Sequence, residues 1–195
     1  MVSRKVRVGI LISGRGSNMA ALIEASRAED YPAEIVLVVA NEADALGLAR
    51  ARAEGVEAIA LSAKAFPDRD GFEAAIDAEL RARGVEIACL AGYMRILGAA
   101  FVKRWQGRMI NIHPSLLPAY KGLHTHERVL ADGVREHGCT VHLVTPELDD
   151  GPILKQARVE VLPGDDAETL AARVLAEEHR IYPEALATLA RAICR

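Results

Sequence analysis

Asn111 and His113 stand two residues apart at the end of a short apolar run, within MINIHPSLLPAYKG from Met109 to Gly122. An asparagine amide donates hydrogen bonds, and an imidazole holds or releases a proton near neutral pH. A carbonyl that turns into an oxyanion needs such donors fixed in place before reaction. Pro114 and Pro118 hold the segment that follows extended. Spacing alone does not separate this pair from the turn-forming and half-buried Asn and His residues common at strand ends. The rest of the chain has to supply a partner and a substrate handle.

Three other stretches offer them. SGRGSN, Ser13 to Asn18, lies between an apolar run and a helical pattern. Free backbone N–H groups and the positive end of a helix favour an anion there, usually phosphate. Met19 stands where a dinucleotide fingerprint needs its third glycine, and no Gly-Lys-Ser/Thr of a P-loop is present. A tight turn capped by Ser17 or Asn18 is the plainer alternative. TPELDDGP, Thr145 to Pro152, clusters three acids in a Pro- and Gly-rich turn. One carboxylate beside His113 would favour its charged form and fix its tautomer. The two segments follow neighbouring strands, and in α/β folds sites gather at strand carboxyl ends. GYMRIL, Gly92 to Leu97, mixes aromatic, thioether and aliphatic groups with one arginine, which suits a flat heteroaromatic ligand. His124, His126, His137, His142 and His179 show no metal-ligand spacing, so non-metal roles are expected for them.

The elements that must position these residues alternate. Val6 to Ile12 is almost continuously apolar and β-branched, as in a strand buried on both faces. A helix from Met19, a strand over Glu34 to Ala40, a helix over Ala43 to Glu54 and a strand over Glu57 to Leu61 follow. Arg69 to Arg83 reads as a helix stopped by Gly84, and Glu86 to Ala91 as the fourth strand. Alternation of this kind predicts a doubly wound, mostly parallel, Rossmann-like α/β sheet of about seven strands. After it come a short helix over Gly98 to Trp105 and a strand over Arg108 to Ile112 that delivers Asn111 and His113. A long Pro-rich loop and a helix over His124 to Ala131 follow. The last strands are Cys139 to Thr145 and Ile153 to Leu162. The latter alternates, which suits a sheet edge or an antiparallel position. Asp165 and Asp166 are candidate caps of a helix through Arg180, and Pro183 is expected to interrupt it before a last helical piece to Ile193.

At 195 residues the chain suits one domain that buries a full core without disulfides or metal. We read residues 1–195 as that domain, with a phosphate-binding half over 1–100 and a catalytic half over 101–195. A net charge of -3 gives no general pull toward nucleic acid or anionic membrane, and no apolar run reaches the ~20 residues of a membrane helix. The basic start before Val6 mimics a signal peptide but lacks a small-residue cleavage pattern. Cys89, Cys139 and Cys194 are odd in number and far apart, as for free thiols in a cytoplasmic protein.

Together, SGRGSN, AGYMRIL, MINIHPSLLPAYKGLHTH, HGCTVHLVTPELDDGP and EEHRIYP resemble the phosphoribosylglycinamide formyltransferase family, the folate-dependent glycinamide ribonucleotide transformylases of purine synthesis. The likeness runs from the first strand to the last helix. HPSLLP alone is shared with methionyl-tRNA formyltransferases, formyltetrahydrofolate deformylases and formyl-transferring domains acting on nucleotide sugars, which look longer. The phosphate turn and EEHRIYP point to the glycinamide ribonucleotide enzymes. The resemblance implies the formyltransferase fold and a direct formyl transfer from 10-formyltetrahydrofolate to the amine of glycinamide ribonucleotide. It implies no metal and no nucleic-acid or membrane partner, in a monomer or weak homodimer. Asn111, His113 and Asp149 would be the catalytic trio. Gly16, Ser17 and Asn18 would hold the substrate phosphate, and Leu175, Ala176, Glu177 and Glu178 its glycinamide end. Met94, Arg95, Ile96 and Leu97, with Thr145, Pro146, Glu147, Leu148, Asp149 and Asn111, would line the folate pocket, with Arg69 nearby. Asp150 stands where the family often has glycine, which makes it a rival for pairing with His113; alignment with the motif keeps Asp149. A formyltetrahydrofolate hydrolase is the alternative within the same chemistry, and a non-catalytic folate- or nucleotide-binding module the alternative outside it.

Overall fold

The computed structural model describes residues 4–194, so the first three residues of the basic start lie outside the described residues. Seven strands form one sheet in the order β3-β2-β1-β4-β5-β6-β7. They are β1 Val6–Ile12, β2 Ala33–Ala40, β3 Ala58–Ala60, β4 Ile87–Leu90, β5 Met109–His113, β6 Glu136–Leu143 and β7 Ile153–Glu160. Neighbours among the first five pair in parallel, while β6 is antiparallel to β5 and β7 antiparallel to β6. The mostly parallel sheet with antiparallel last strands is as expected.

Six helices flank the sheet: α1 Ser17–Ser26, α2 Leu46–Ala53, α3 Arg69–Ala82, α4 Ala99–Arg104, α5 Thr125–Asp132 and α6 Ala167–Ile193. On β1, Val8, Ile10 and Ile12 join the core under α1, α2, α5 and α6, and Leu11 joins the core under α3 and α4. Burial on both faces is what makes that strand continuously apolar. Among the described residues, no helix is long and apolar enough to cross a membrane.

Two local expectations are corrected. Pro183 does not interrupt the last helix, because α6 runs unbroken through it. Proline costs that helix one backbone hydrogen bond, but Ile181, Tyr182, Ala185 and Leu186 are buried on both sides of it, and the Tyr182 hydroxyl reaches the carbonyls of Leu90 and Ile110 at 2.8 and 3.2 Å. Tertiary packing outweighs the local break. At the other end, Asp166 alone caps α6, in a reciprocal pair with Thr169, while Asp165 accepts from Leu162 N and pairs with Arg173 at 2.8 Å.

Candidate active site

Strand β5 puts Asn111 and His113 on one face of the sheet, because side chains two apart share a face. Across the antiparallel pairing, Asn111 stands opposite His142 and His113 opposite Thr140. His113 is buried; its Nε2 lies 2.9 Å from the Tyr120 carbonyl oxygen, so that nitrogen carries a proton and donates it. Its Nδ1 faces Asp149 Oδ2 at 3.5 Å. The same Oδ2 accepts from Gly122 N at 2.9 Å, which ties the acidic turn to the Pro-rich loop. Asp150 points away and pairs with Lys121 in solvent. The carboxylate beside His113 is therefore Asp149.

That meeting does not come from strand carboxyl ends, as expected from the sequence. Strand β6 runs against β5 and ends beside the start of β5, where Val144 N donates to the Met109 carbonyl at 2.9 Å. The turn from Thr145 returns to bring Asp149 within 3.5 Å of His113 Nδ1 and 3.7 Å of His142 Nε2. Asp149 adopts a left-handed backbone at φ 50, a conformation that Asp tolerates better than most residues.

Sequence reasoning gave His142 no role, and the structure does. Its Nδ1 donates to the Leu143 carbonyl at 2.9 Å, and burial holds its pKa down, so the ring is neutral with a free lone pair on Nε2. Asn111 Nδ2 donates to that lone pair at 3.2 Å. This fixes which way the Asn111 amide points and leaves its second N–H for the cavity it lines. Two facts find His142 only together: its two-residue offset from Thr140 and the antiparallel direction of β6.

The cavity measures about 520 Å³. Met94, Arg95, Ile96 and Leu97 form one wall, and Thr145, Pro146, Glu147, Leu148 and Asp149 another, with Asn111 and His113 between them. Met94 and Ile96 are exposed apolar groups at its mouth. The loop that carries them is anchored at both ends, by Met94 N on Ser13 Oγ at 2.8 Å and by Gly98 N on the buried Glu73 Oε1 at 2.7 Å. Arg69 is not in the wall. It opens α3, beside Gly98 at the end of that loop.

The Gly-rich turn is a separate corner, joined to the cavity through Ser13. Gly16 precedes α1 in a left-handed conformation, φ 69, and a Cβ there would come within 3.1 Å of the Gly47 backbone. Gly16 is thus the N-cap in place of Ser17 or Asn18, no side chain caps the helix, and its first-turn N–H groups stay open to a ligand. Asn18 is buried, and its Nδ2 donates to Glu178 Oε2 at 2.7 Å. Asn18 Oδ1 is also buried and has no partner among the described residues. Of the four α6 candidates, Glu178 hydrogen-bonds this turn. Glu177 pairs with Arg180, Leu175 is half-buried and Ala176 is exposed.

Burial pushes the Glu178 carboxyl up to about 7, with the Asn18 bond pulling the other way. The folded state then binds more protons than the unfolded state between the ordinary value and about 7, so this group's contribution to stability falls as pH rises through that window. His137 acts oppositely. Burial and the neighbouring His126, 3.0 Å away, bring it down to about 4, so stability is lost as pH falls from 6.5 toward 4. Comparing Glu178→Gln with wild type isolates the first effect. The stability difference between them, measured by urea unfolding, is expected to move in favour of the variant by on the order of 2–3 kcal/mol between pH 4.5 and 7.5. A difference that stays flat with pH would show that Glu178 titrates as in solution.

Comparison with known proteins places this geometry. The formyl transferase family model matches residues 6–186. The chain is 46% identical over 178 residues to the phosphoribosylglycinamide formyltransferase of Escherichia coli (strain K12), covering 91% of this chain and 84% of that protein. It is 50% identical over 191 residues to the trifunctional purine biosynthetic protein adenosine-3 of Drosophila pseudoobscura pseudoobscura, and spans 14% of that much longer relative while 97% of this chain is covered. A crystal structure of phosphoribosylglycinamide formyltransferase from Brucella melitensis superimposes with a TM-score of 0.93 at 54% identity, over 96% of each chain.

Proposed function

The chain belongs to the formyl transferase family, and we propose that it transfers a formyl group from 10-formyltetrahydrofolate to the primary amine of glycinamide ribonucleotide, in purine synthesis. The observation that carries this reading is the convergence of the Asn111 amide, the His113 imidazole and the Asp149 carboxylate on one end of a cavity of about 520 Å³. A pteridine fits a cavity of this size with apolar groups at its mouth. The open first turn of α1 suits the substrate phosphate, and the orphaned Asn18 Oδ1 and the Glu178 carboxyl suit its donors nearby. In this reading residues 1–195 act as one formyltransferase domain, as a monomer or weak homodimer in the cytoplasm, with no metal, nucleic acid or membrane involved. Arg69 would meet the outer part of the folate from beside the loop.

The amine is itself the nucleophile, so no side-chain nucleophile is needed. It attacks the formyl carbon, a C–N bond forms, and the carbonyl oxygen takes up negative charge. Asn111 donates to that oxygen through the amide N–H that His142 leaves free. His113, with the Asp149 carboxylate beside it, stabilises the same charge in its protonated form. The bond to the folate nitrogen then breaks, that nitrogen takes a proton, and the former amine gives one up. Burial of His113 and Asp149 strengthens these interactions relative to water.

A coupled assay tests the reading. With both substrates, formylated ribonucleotide and tetrahydrofolate are expected in equal amounts. An acceptor lacking the 5-phosphate should lose most of kcat/KM, and Ser17→Ala with Asn18→Ala should narrow that gap. Formate release that is indifferent to glycinamide ribonucleotide would replace this reading with hydrolysis, and binding without turnover would replace it with a binding module.

A further inference from the structure

Behind His113 the sheet carries a row of polar side chains that the reaction itself does not use. His113 on β5 stands opposite Thr140 on β6, and Thr140 opposite Gln156 on the edge strand β7. Directly opposed residues share a face of the sheet, so the three lie side by side beneath the Pro-rich loop. Gln156 Nε2 donates one hydrogen to the Leu117 carbonyl and the other to Thr140 Oγ1, each at 2.9 Å. Thr140 Oγ1 donates to the Ser115 carbonyl at 2.7 Å and accepts from Leu117 N at 3.1 Å. Ser115 Oγ donates to the Ala119 carbonyl at 2.6 Å. The next residue, Tyr120, is held at φ 53, and its carbonyl receives the His113 Nε2 proton.

The Thr140 hydroxyl and the Gln156 amide nitrogen are fully used. A hydroxyl offers one donor and two acceptor sites, and an amide nitrogen two donors. All five are spent on the loop or on each other. The loop backbone between Pro114 and Lys121 belongs to no helix or strand, and these side chains bond it at Ser115 and Leu117. Thr140 is buried and Gln156 half-buried, and a connected network of this kind favours one geometry that is lost when a member is removed.

We propose that Thr140 and Gln156 are positioning residues: through the Pro-rich loop they hold the Tyr120 carbonyl on His113 Nε2 and so keep the proton of the neutral ring on that nitrogen, with Nδ1 turned to Asp149. The catalytic consequence rests on the formyl-transfer reading above, but the tautomer does not. Misplacing a reacting group by a fraction of a bond length to 1 Å costs up to about 10²-fold in rate. Thr140→Val and Gln156→Leu are expected to lower kcat by ~10–100-fold, with the KM of both substrates within about threefold of wild type. Thr140→Ser, which keeps the hydroxyl, should restore most of the rate.

The decisive readout is the 15N spectrum of the neutral His113 ring at alkaline pH, taken without substrate. Wild type should show a single Nε2–H tautomer, and both variants a mixture. A merely structural role would lower the melting temperature and leave the tautomer alone. Gln156 sits on the edge strand, so Gln156→Leu serves where Thr140→Val does not fold. Either folded variant with wild-type kcat, or with reduced kcat and an unchanged single tautomer, would overturn the proposal. Wild type without transfer to glycinamide ribonucleotide would instead remove the function, while the ring spectrum would still decide this assignment.

Discussion

Asn111→Ala and His113→Ala are each expected to fold as wild type and to lose about two to three decades of turnover, or roughly 3–4 kcal/mol of transition-state stabilisation. The geometry sets the size of this effect. One N–H of the Asn111 amide is committed to His142, whose own tautomer is fixed by the Leu143 carbonyl, so the remaining N–H is held in place before any substrate arrives. A donor that needs no reorganisation acts mainly on the charge that develops during reaction. The loss should therefore fall on kcat, with KM for either substrate changing much less. Asn111→Asp keeps the shape but places an acceptor where a donor is needed, and it should do no better than Ala. Steady-state kinetics with both substrates, beside circular dichroism of each variant, checks this. Turnover within threefold of wild type in a folded variant would remove that residue from the oxyanion site.

The fold behind this site was largely legible in the sequence, and the reasons are particular. Strand β1 is apolar at nearly every position because both of its faces are buried. Helix α3 shows its start and its stop, with Asp68 capping Gly71 N and Gly84 following in a left-handed conformation. Asn111 and His113 stood out because their types and spacing suit an oxyanion. Strand direction was the missing piece. Strand β6 is buried on both faces from His137 to His142, and such a strand carries no periodicity that tells parallel from antiparallel. What depends on the reversal was hidden with it: the path of the acidic turn and the pairing of His142 with Asn111. Pro183 shows the converse failure, in which a strong local signal yields to buried side chains on both sides of it.

One glycine ties that hidden geometry together. A Cβ on Gly151 would lie 1.7 Å from the Leu143 carbonyl oxygen and 2.8 Å from its carbon, both of them backbone atoms of β6. The Leu143 carbonyl is also the acceptor that fixes the His142 ring, and Leu143 N holds the end of the turn by donating to the Pro152 carbonyl at 2.9 Å. A single methyl at Gly151 therefore pushes on the return path of Asp149 and on the anchor of His142 at once. Overpacking of this kind costs about 1–3 kcal/mol, which lowers the melting temperature of a chain of this size by roughly 2–4 °C per kcal/mol. The effect on rate should be the larger one. Gly151→Ala, assayed well below its melting temperature, is expected to lose about 10²-fold in kcat because the Asp149 partner of His113 and the His142 partner of Asn111 are both displaced. Gly9→Ala is the control: its Cβ would meet Leu80 Cδ2 at 2.5 Å, in the core under α3 and away from the cavity. It should lose stability and keep kcat. Equal losses of rate in the two variants would mean that Gly151 matters only for folding, and that the turn does not depend on it to place Asp149.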